Sequence, residues 1–119
     1  MAAPVVITPM RDPKSGRFDA QRMADFLGVR PAEIARYLGV HRSTVLRHPT
    51  GPKIQAKAAE LEFLFAELWR LLGSAESARA WLKTPSPFFQ GKTALELIEE
   101  NQGEIVRAVI EDLKEGIPL

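Results

Sequence analysis

The sequence of 119 residues contains no cysteine, only two histidines and one tyrosine, and no long apolar run. Without cysteine, the chain forms no disulfide, no thiolate zinc site and no cysteine nucleophile, as is usual for proteins of a reducing compartment. Every apolar stretch is shorter than the ~18 residues that a membrane-spanning helix needs. No basic region precedes the apolar residues Val5 to Ile7, as one would in a secretory signal. These absences predict a cytoplasmic protein with no membrane partner.

Patterns typical of catalytic or metal sites are also missing. His41 and His48 lie two turns apart on one predicted helix and lack carboxylates at ligand spacing. The sequence has neither a glycine-rich phosphate-binding loop nor a nucleophile elbow. We therefore expect a protein that is not an enzyme and binds neither a cofactor nor a metal.

Charge is distributed unevenly, although the net charge is only +1. Residues 1–60 carry ten basic and five acidic side chains, whereas residues 61–119 carry six basic and ten acidic ones. The basic excess is strongest between Arg30 and Lys57, where Glu33 is the only acid. Halves of opposite sign predict two tasks: the basic half binds a polyanion and the acidic half binds a protein.

Apolar periodicity and capping residues predict an all-α protein with seven helices and at most one short strand, at Val5 to Thr8. Asp19, Ser74 and Thr93 are candidate N-caps, because short polar side chains accept hydrogen bonds from the first turn. The predicted organisation is an extended arm over residues 1–17, a helix-turn-helix DNA-binding domain over 18–52, a long helix over 53–73 and a small helical domain over 74–119.

The predicted arm has two interpretations. Pro4, Pro9 and Pro13 exclude a helix. The basic side chains Arg11, Lys14 and Arg17 either follow a DNA backbone, as some basic arms do, or belong to a loosely ordered terminus.

Residues 32–47 have the spacing of a helix-turn-helix. Ile34 and Val45 provide apolar anchors for the two helices, and Gly39 supports the tight turn between them. The second helix then presents its polar side chains to a major groove. Arg42 has the fork that pairs with guanine O6 and N7. The predicted DNA-binding residues are His41, Arg42, Ser43, Thr44, Arg47 and Lys53.

The long helix carries apolar residues at alternating spacings of four and three, from Ile54 to Leu72. Its last three turns are apolar nearly all round, which requires cover on more than one side. Packing within the chain is one way to provide that cover, and a homodimer is the other. The dimer interpretation predicts an interface formed by Leu61, Leu64, Phe65, Leu68 and Leu72.

The second half of the sequence contains a recognisable series of residues. It runs from a Trp-Leu pair at Trp81 through the proline-containing loop 84–91 to the Leu-Glu-Leu-Ile helix at 95–98, followed by Gly103 and a final helix closed by Gly116. This series resembles the toxin-binding domain of the Xre/MbcA/ParS antitoxin family. The family also places a helix-turn-helix ahead of that domain, so the resemblance extends over roughly residues 18–119. The chain departs from the family pattern at Ser86, Phe89, Gln90 and Ala94.

The resemblance implies an antitoxin of a type II toxin-antitoxin system. Such proteins neutralise a RES-domain toxin, which consumes NAD or transfers its ADP-ribose, and the pair acts as a transcriptional repressor of its own operon. The expected partners are therefore the toxin, operator DNA and a second copy of the chain within a larger assembly. The alternative is a free-standing helix-turn-helix regulator that has no toxin.

The toxin-binding residues are predicted partly from this resemblance and partly from chemistry. One ring of the Phe88-Phe89 pair is expected to pack inside, leaving the other for a partner. A cleft that holds the pyrophosphate of NAD needs cationic side chains, and carboxylates near the chain's end are suited to occupy such a cleft. The predicted set is Phe88, Phe89, Glu111, Asp112, Glu115, Gly116, Ile117 and Leu119.

Overall fold

The computed structural model describes residues 6–116 of the chain. Within this range it is all-helical, and the extended residues form only one isolated bridge, between Arg11 and Phe18. No described helix is long and apolar enough to cross a membrane. The seven α-helices of this range are α1 (Ala20–Leu27), α2 (Pro31–Leu38), α3 (Arg42–Arg47), α4 (Pro52–Leu72), α5 (Ala75–Lys83), α6 (Ala94–Glu99) and α7 (Gly103–Lys114).

The chain divides into two compact units, residues 1–63 and residues 64–119. The boundary falls inside α4 rather than at either of its ends. The first twelve residues of this helix therefore belong to the first unit, and its last nine residues belong to the second. The sequence had suggested the long helix as a separate segment.

Capping chemistry sets the helix boundaries. The carboxylate of Asp19 accepts hydrogen bonds from the backbone N–H groups of Gln21 and Arg22, which satisfies two donors at the start of α1. At α6, Thr93 and Glu96 form a reciprocal capping box. Gly39 ends α2 in the left-handed region with φ of 71°, a conformation that glycine adopts without steric cost.

The core of the first unit lies between α1, α2, α3 and the start of α4. Met23, Ile34, Val45 and Ile54 are completely buried in it. Gln55 on α4 extends a two-way amide contact to the Phe18 backbone: its Oε1 accepts from the N–H at 2.9 Å and its Nε2 donates to the carbonyl at 3.0 Å. The Gln55 amide therefore pairs with the Phe18 backbone as a neighbouring strand would, and it fixes the residues that lead into α1 to α4.

Residues 6–17, expected to extend as an arm, pack onto the first unit instead. Ile7 and Met10 are buried. Of the strand expected at Val5 to Thr8, the described residues 6–8 form none, and Thr8 instead begins a short 3₁₀ turn, Thr8–Met10. Glu62 on α4 accepts hydrogen bonds from the Ile7 N–H at 2.8 Å and from Arg11 Nη2 at 2.8 Å. Arg11 also stacks on Phe18, with its guanidinium 4.0 Å from the ring centre. Arg11 is therefore engaged within the unit, with 26% of its side chain exposed, whereas Lys14 and Arg17 are exposed.

The core of the second unit is formed by apolar side chains of α5, α6 and α7. Leu82, Ile98 and Val106 are completely buried. Trp81 packs edge-on against Phe89, with ring centres 5.9 Å apart, so this tryptophan anchors the loop that follows α5.

Most of the apolar seam of α4 is buried within a single chain. Leu61, Leu64, Phe65 and Leu68, which were predicted to form a dimer interface, have at most 2% of their surface exposed. Intrachain packing, the other interpretation of the pattern, accounts for them. Of the predicted set only Leu72 is exposed, and the other exposed apolar side chains of the helix are Phe63 and Trp69.

Candidate functional site

The first candidate surface is the outward face of α3. Arg42, Ser43, Leu46 and Arg47 are all exposed, and their spacing of three and four residues places them side by side on one face of the helix. His41, which precedes the helix, is also exposed, whereas Thr44 is half-buried. The sequence predicted every member of this face except Leu46, because an apolar side chain in a helix is ordinarily assigned to the core.

Three features hold α3 in place. Val45 is fully buried and packs the helix onto the rest of the unit. Gly39 and Val40 close the turn after α2, and their N–H groups bond to the carbonyls of α2. The Gln21 side-chain amide, on α1, donates to the carbonyls of Val45 and Leu46 at 3.0 and 3.3 Å. These two carbonyls belong to the last turn of α3 and have no partner within the helix.

The side chains of this face and of the nearby start of α4 carry positive charges that no acidic side chain of the described residues neutralises. Arg42, Arg47 and Lys53 are exposed, and within residues 6–116 their side chains have no hydrogen bond or ion pair. Glu33 lies away from them, at the start of α2, where it accepts hydrogen bonds from the Arg30 backbone and side chain. These bonds lower the pKa of the Glu33 carboxyl. Glu33, the acid closest in sequence to Arg42, is thus engaged with its own helix cap.

The second candidate surface is the loop between α5 and α6. Its 3₁₀ turn, Pro87–Phe89, is capped by Ser86, whose hydroxyl accepts from the Phe88 N–H at 3.2 Å. This serine therefore performs the capping that an asparagine side chain also provides. The turn sends the two phenylalanines in opposite directions: Phe88 is 49% exposed and Phe89 is 4% exposed. Of the two predicted partner-binding rings, only Phe88 is presented at the surface.

A hollow of about 200 Å³, lined by both polar and apolar side chains, adjoins Phe88. Leu97 of α6 and Ile105 of α7 contribute to its wall, with Lys92 and two glutamines at its rim. Ile105 is 42% exposed, although its position on the apolar face of α7 indicated a core residue. The hollow forms where the loop before α6, α6 itself and the start of α7 come together. A local sequence pattern therefore cannot predict it.

The acidic end of α7 is partly neutralised. Lys114 Nζ lies 3.1 Å from Glu67 Oε2 and 3.3 Å from Glu111 Oε1. The hydrogen bond that the Lys114 ammonium donates to Glu67, and then the one that it donates to Glu111, raise the pKa of Lys114. Asp112 is half-buried and Glu115 is exposed, and neither side chain has an ion pair within residues 6–116. The carboxylates available to a partner are thus Asp112 and Glu115 rather than Glu111.

Gly116 follows α7 with φ of 73°, so it closes the helix as the sequence predicted. Ile117 and Leu119, the remaining predicted toxin-binding residues, lie outside the described residues.

Comparison with known proteins relates the part of the chain that carries the second surface to a family. Residues 67–116 match the model of the antitoxin Xre/MbcA/ParS C-terminal toxin-binding domain. A chain in the crystal structure of the M. tuberculosis MbcT-MbcA toxin-antitoxin complex has a similar fold, with a TM-score of 0.63 and 18% sequence identity. The similarity covers 84% of this chain and 94% of that one. No curated protein matches the sequence. Residues 67–116 are therefore a toxin-binding domain of the Xre/MbcA/ParS antitoxin family.

Proposed function

We propose that this antitoxin binds and blocks a RES-domain toxin through its second unit and represses its own operon through its first. The observation that carries the proposal is the presence in one chain of a matched toxin-binding domain and an exposed, unpaired basic helix face. A toxin inhibitor alone has no use for the second feature, and a regulator alone has no use for the first.

The DNA-binding part is supported by the geometry of α2 and α3. The two helices are joined by a tight turn at Gly39, and Val45 anchors the second helix, so the pair has the layout of a helix-turn-helix. In that layout the exposed side chains of α3 enter the major groove. Arg42 supplies a planar fork for guanine, Ser43 reaches base edges or phosphate, and Thr44, Arg47 and Lys53 act mainly through the phosphate backbone.

The toxin-blocking part is supported by two features of the second unit. Phe88 and Ile105 present exposed apolar side chains beside a hollow in the matched domain. Asp112 and Glu115 provide unpaired carboxylates next to the end of α7. A cleft that binds the pyrophosphate of NAD is lined by cations, and these carboxylates complement such a cleft.

The homodimer is proposed through a revised surface. Leu61, Leu64, Phe65 and Leu68 are buried in the chain and cannot contact a second copy without unfolding. Trp69 and Leu72 are 40% and 37% exposed and lie three residues apart on α4, so they form one apolar ridge. Pairing of two copies would allow two α3 helices to bind the half-sites of a palindromic operator.

The experiment that tests this function is co-expression with the protein encoded by the adjacent reading frame. We expect the two proteins to co-purify, and we expect the chain to restore growth and cellular NAD in cells that make the neighbour. The purified complex should also retard DNA taken from upstream of the operon. DNA binding without co-purification or rescue would support the free-standing regulator instead, and rescue without DNA binding would remove the repressor role.

A further inference from the structure

Leu46 is an apolar side chain at the centre of a polar, basic helix face. It is 52% exposed, more than any other large apolar residue of the helices in residues 6–116. Its neighbours at three and four residues' distance along the helix are Ser43 and Arg42, and Arg47 follows it directly. The structure thus surrounds one aliphatic group with the side chains assigned above to the major groove.

The backbone at Leu46 is held by contacts with the rest of the first unit, although the residue itself is exposed. The preceding residue, Val45, is fully buried, and the carbonyl of Leu46 itself accepts a hydrogen bond from the Gln21 amide. Because α3 is only six residues long, this contact from α1 holds the backbone of its last turn, and with it the direction of the Cα–Cβ bond of Leu46. A fixed direction is what base recognition needs and what a mobile surface leucine lacks.

The major groove offers one apolar group, the C5-methyl of thymine, and aliphatic side chains recognise it by contact. The groups that distinguish the other three bases there are hydrogen-bond donors and acceptors, which Leu46 cannot satisfy. Burial of Leu46 against cytosine or a purine edge would desolvate polar atoms without replacing their bonds.

We propose that Leu46 is a specificity-determining residue that selects a thymine by contact with the methyl group of the base. This inference rests on the proposed DNA-binding role. The thymine lies next to the base pair that Arg42 reads, since the two side chains are one helical turn apart. Basic side chains on both flanks, Arg42 and Arg47, supply the charge complementarity that brings a duplex onto this face.

The test begins with selection of binding sites from a random DNA duplex pool by the full-length chain and, in parallel, by Leu46→Ala. We expect the wild-type sites to contain a thymine that the Leu46→Ala sites lack, while the rest of the motif is shared. Leu46→Met, which keeps an apolar side chain of similar volume, should retain the thymine.

The second step replaces that thymine by deoxyuridine, which differs only in the missing methyl group. Wild-type affinity should fall about fourfold, the change that corresponds to one buried methyl group, and Leu46→Ala affinity should not change. Equal affinity of the wild type for the two duplexes, or an unchanged thymine preference in Leu46→Ala, overturns the inference and leaves the DNA-binding role intact. Failure of the wild type to enrich any sequence removes both.

Discussion

At the scale of single residues, Glu62 has the largest structural consequence. It is the one buried charged side chain among residues 6–116, and its carboxylate holds both the Ile7 N–H and the Arg11 guanidinium. A buried carboxylate is tolerated only where partners replace its lost hydration. Here these partners lie 55 and 51 residues away in sequence, so one side chain fixes residues 6–17 to α4.

We predict that Glu62→Ala lowers the free energy of unfolding by about 1–3 kcal/mol, since the substitution leaves a buried N–H and a partly buried guanidinium without partners. Urea denaturation followed by circular dichroism measures this change. Glu60→Ala is the matched control, because Glu60 is exposed on the same helix and its loss should change stability by no more than about 0.5 kcal/mol. Equal effects of the two substitutions would show that the Glu62 contacts contribute nothing.

At the scale of helices, local sequence signals predicted the boundaries well. The caps at Asp19, Ser74 and Thr93 and the glycine at Gly39 lie where the sequence placed them, because capping involves residues only two to four positions apart. The sequence could not decide how the seam of α4 is covered, since a periodicity of three and four describes intrachain and interchain packing equally. The exposure of Leu46 and Ile105 was missed for the related reason that it depends on distant segments.

Gln21 is the element-scale link between α1 and α3. We predict that Gln21→Met, which keeps the length of the side chain but removes its amide donor, lowers the free energy of unfolding by about 1 kcal/mol. The same change should weaken operator binding severalfold, because the last turn of α3 then loses the contact that fixes Leu46. Thermal denaturation and fluorescence anisotropy with a labelled duplex measure the two effects.

Asp25→Asn provides the control for that experiment, since Asp25 is exposed on the same helix. It should leave stability nearly unchanged. If Gln21→Met loses stability but binds DNA as the wild type does, the amide supports the fold without positioning α3.

At the scale of the whole molecule, the boundary between the basic and acidic halves, after residue 60, lies close to the boundary between the two compact units, after residue 63. The basic half contains the exposed basic helix α3, and the acidic half contains the carboxylates of α7. The predicted candidate residues divide in the same way. Arg42, Ser43 and Arg47 are exposed as predicted, but Phe89 is buried and Glu111 is paired with Lys114, because packing and ion pairing between helices decide which members of a local cluster reach the surface.

Assembly is tested on the exposed ridge of α4. We predict that Trp69→Glu converts a homodimer into a monomer, since the substitution would place an unpaired carboxylate in an apolar interface. Sedimentation velocity over a range of micromolar concentrations measures the state. Ala80→Glu adds the same carboxylate at an exposed position of α5 and should leave the dimer intact. A wild-type chain that sediments as a monomer throughout would remove the dimer from the proposal.

Neutralisation of the toxin is tested at the end of the chain. We predict that deletion of residues 116–119 releases toxin activity while stability and operator binding remain unchanged. The deletion begins at Gly116, beyond the last residue of α7 and exposed, so it removes no described core side chain. Growth rescue and NAD consumption at equal protein dose measure the effect on the toxin, and urea denaturation and DNA retardation measure the rest.

Two further variants separate charge from the tail itself. Asp112→Asn combined with Glu115→Gln removes the unpaired carboxylates and should weaken neutralisation if they occupy the cationic cleft. Glu104→Gln removes an exposed carboxylate at the opposite end of α7 and should have no effect. If the truncated chain still rescues growth and still prevents NAD loss, residues 116–119 do not block the toxin, and the exposed ring of Phe88 with its adjoining hollow becomes the surface on which neutralisation depends.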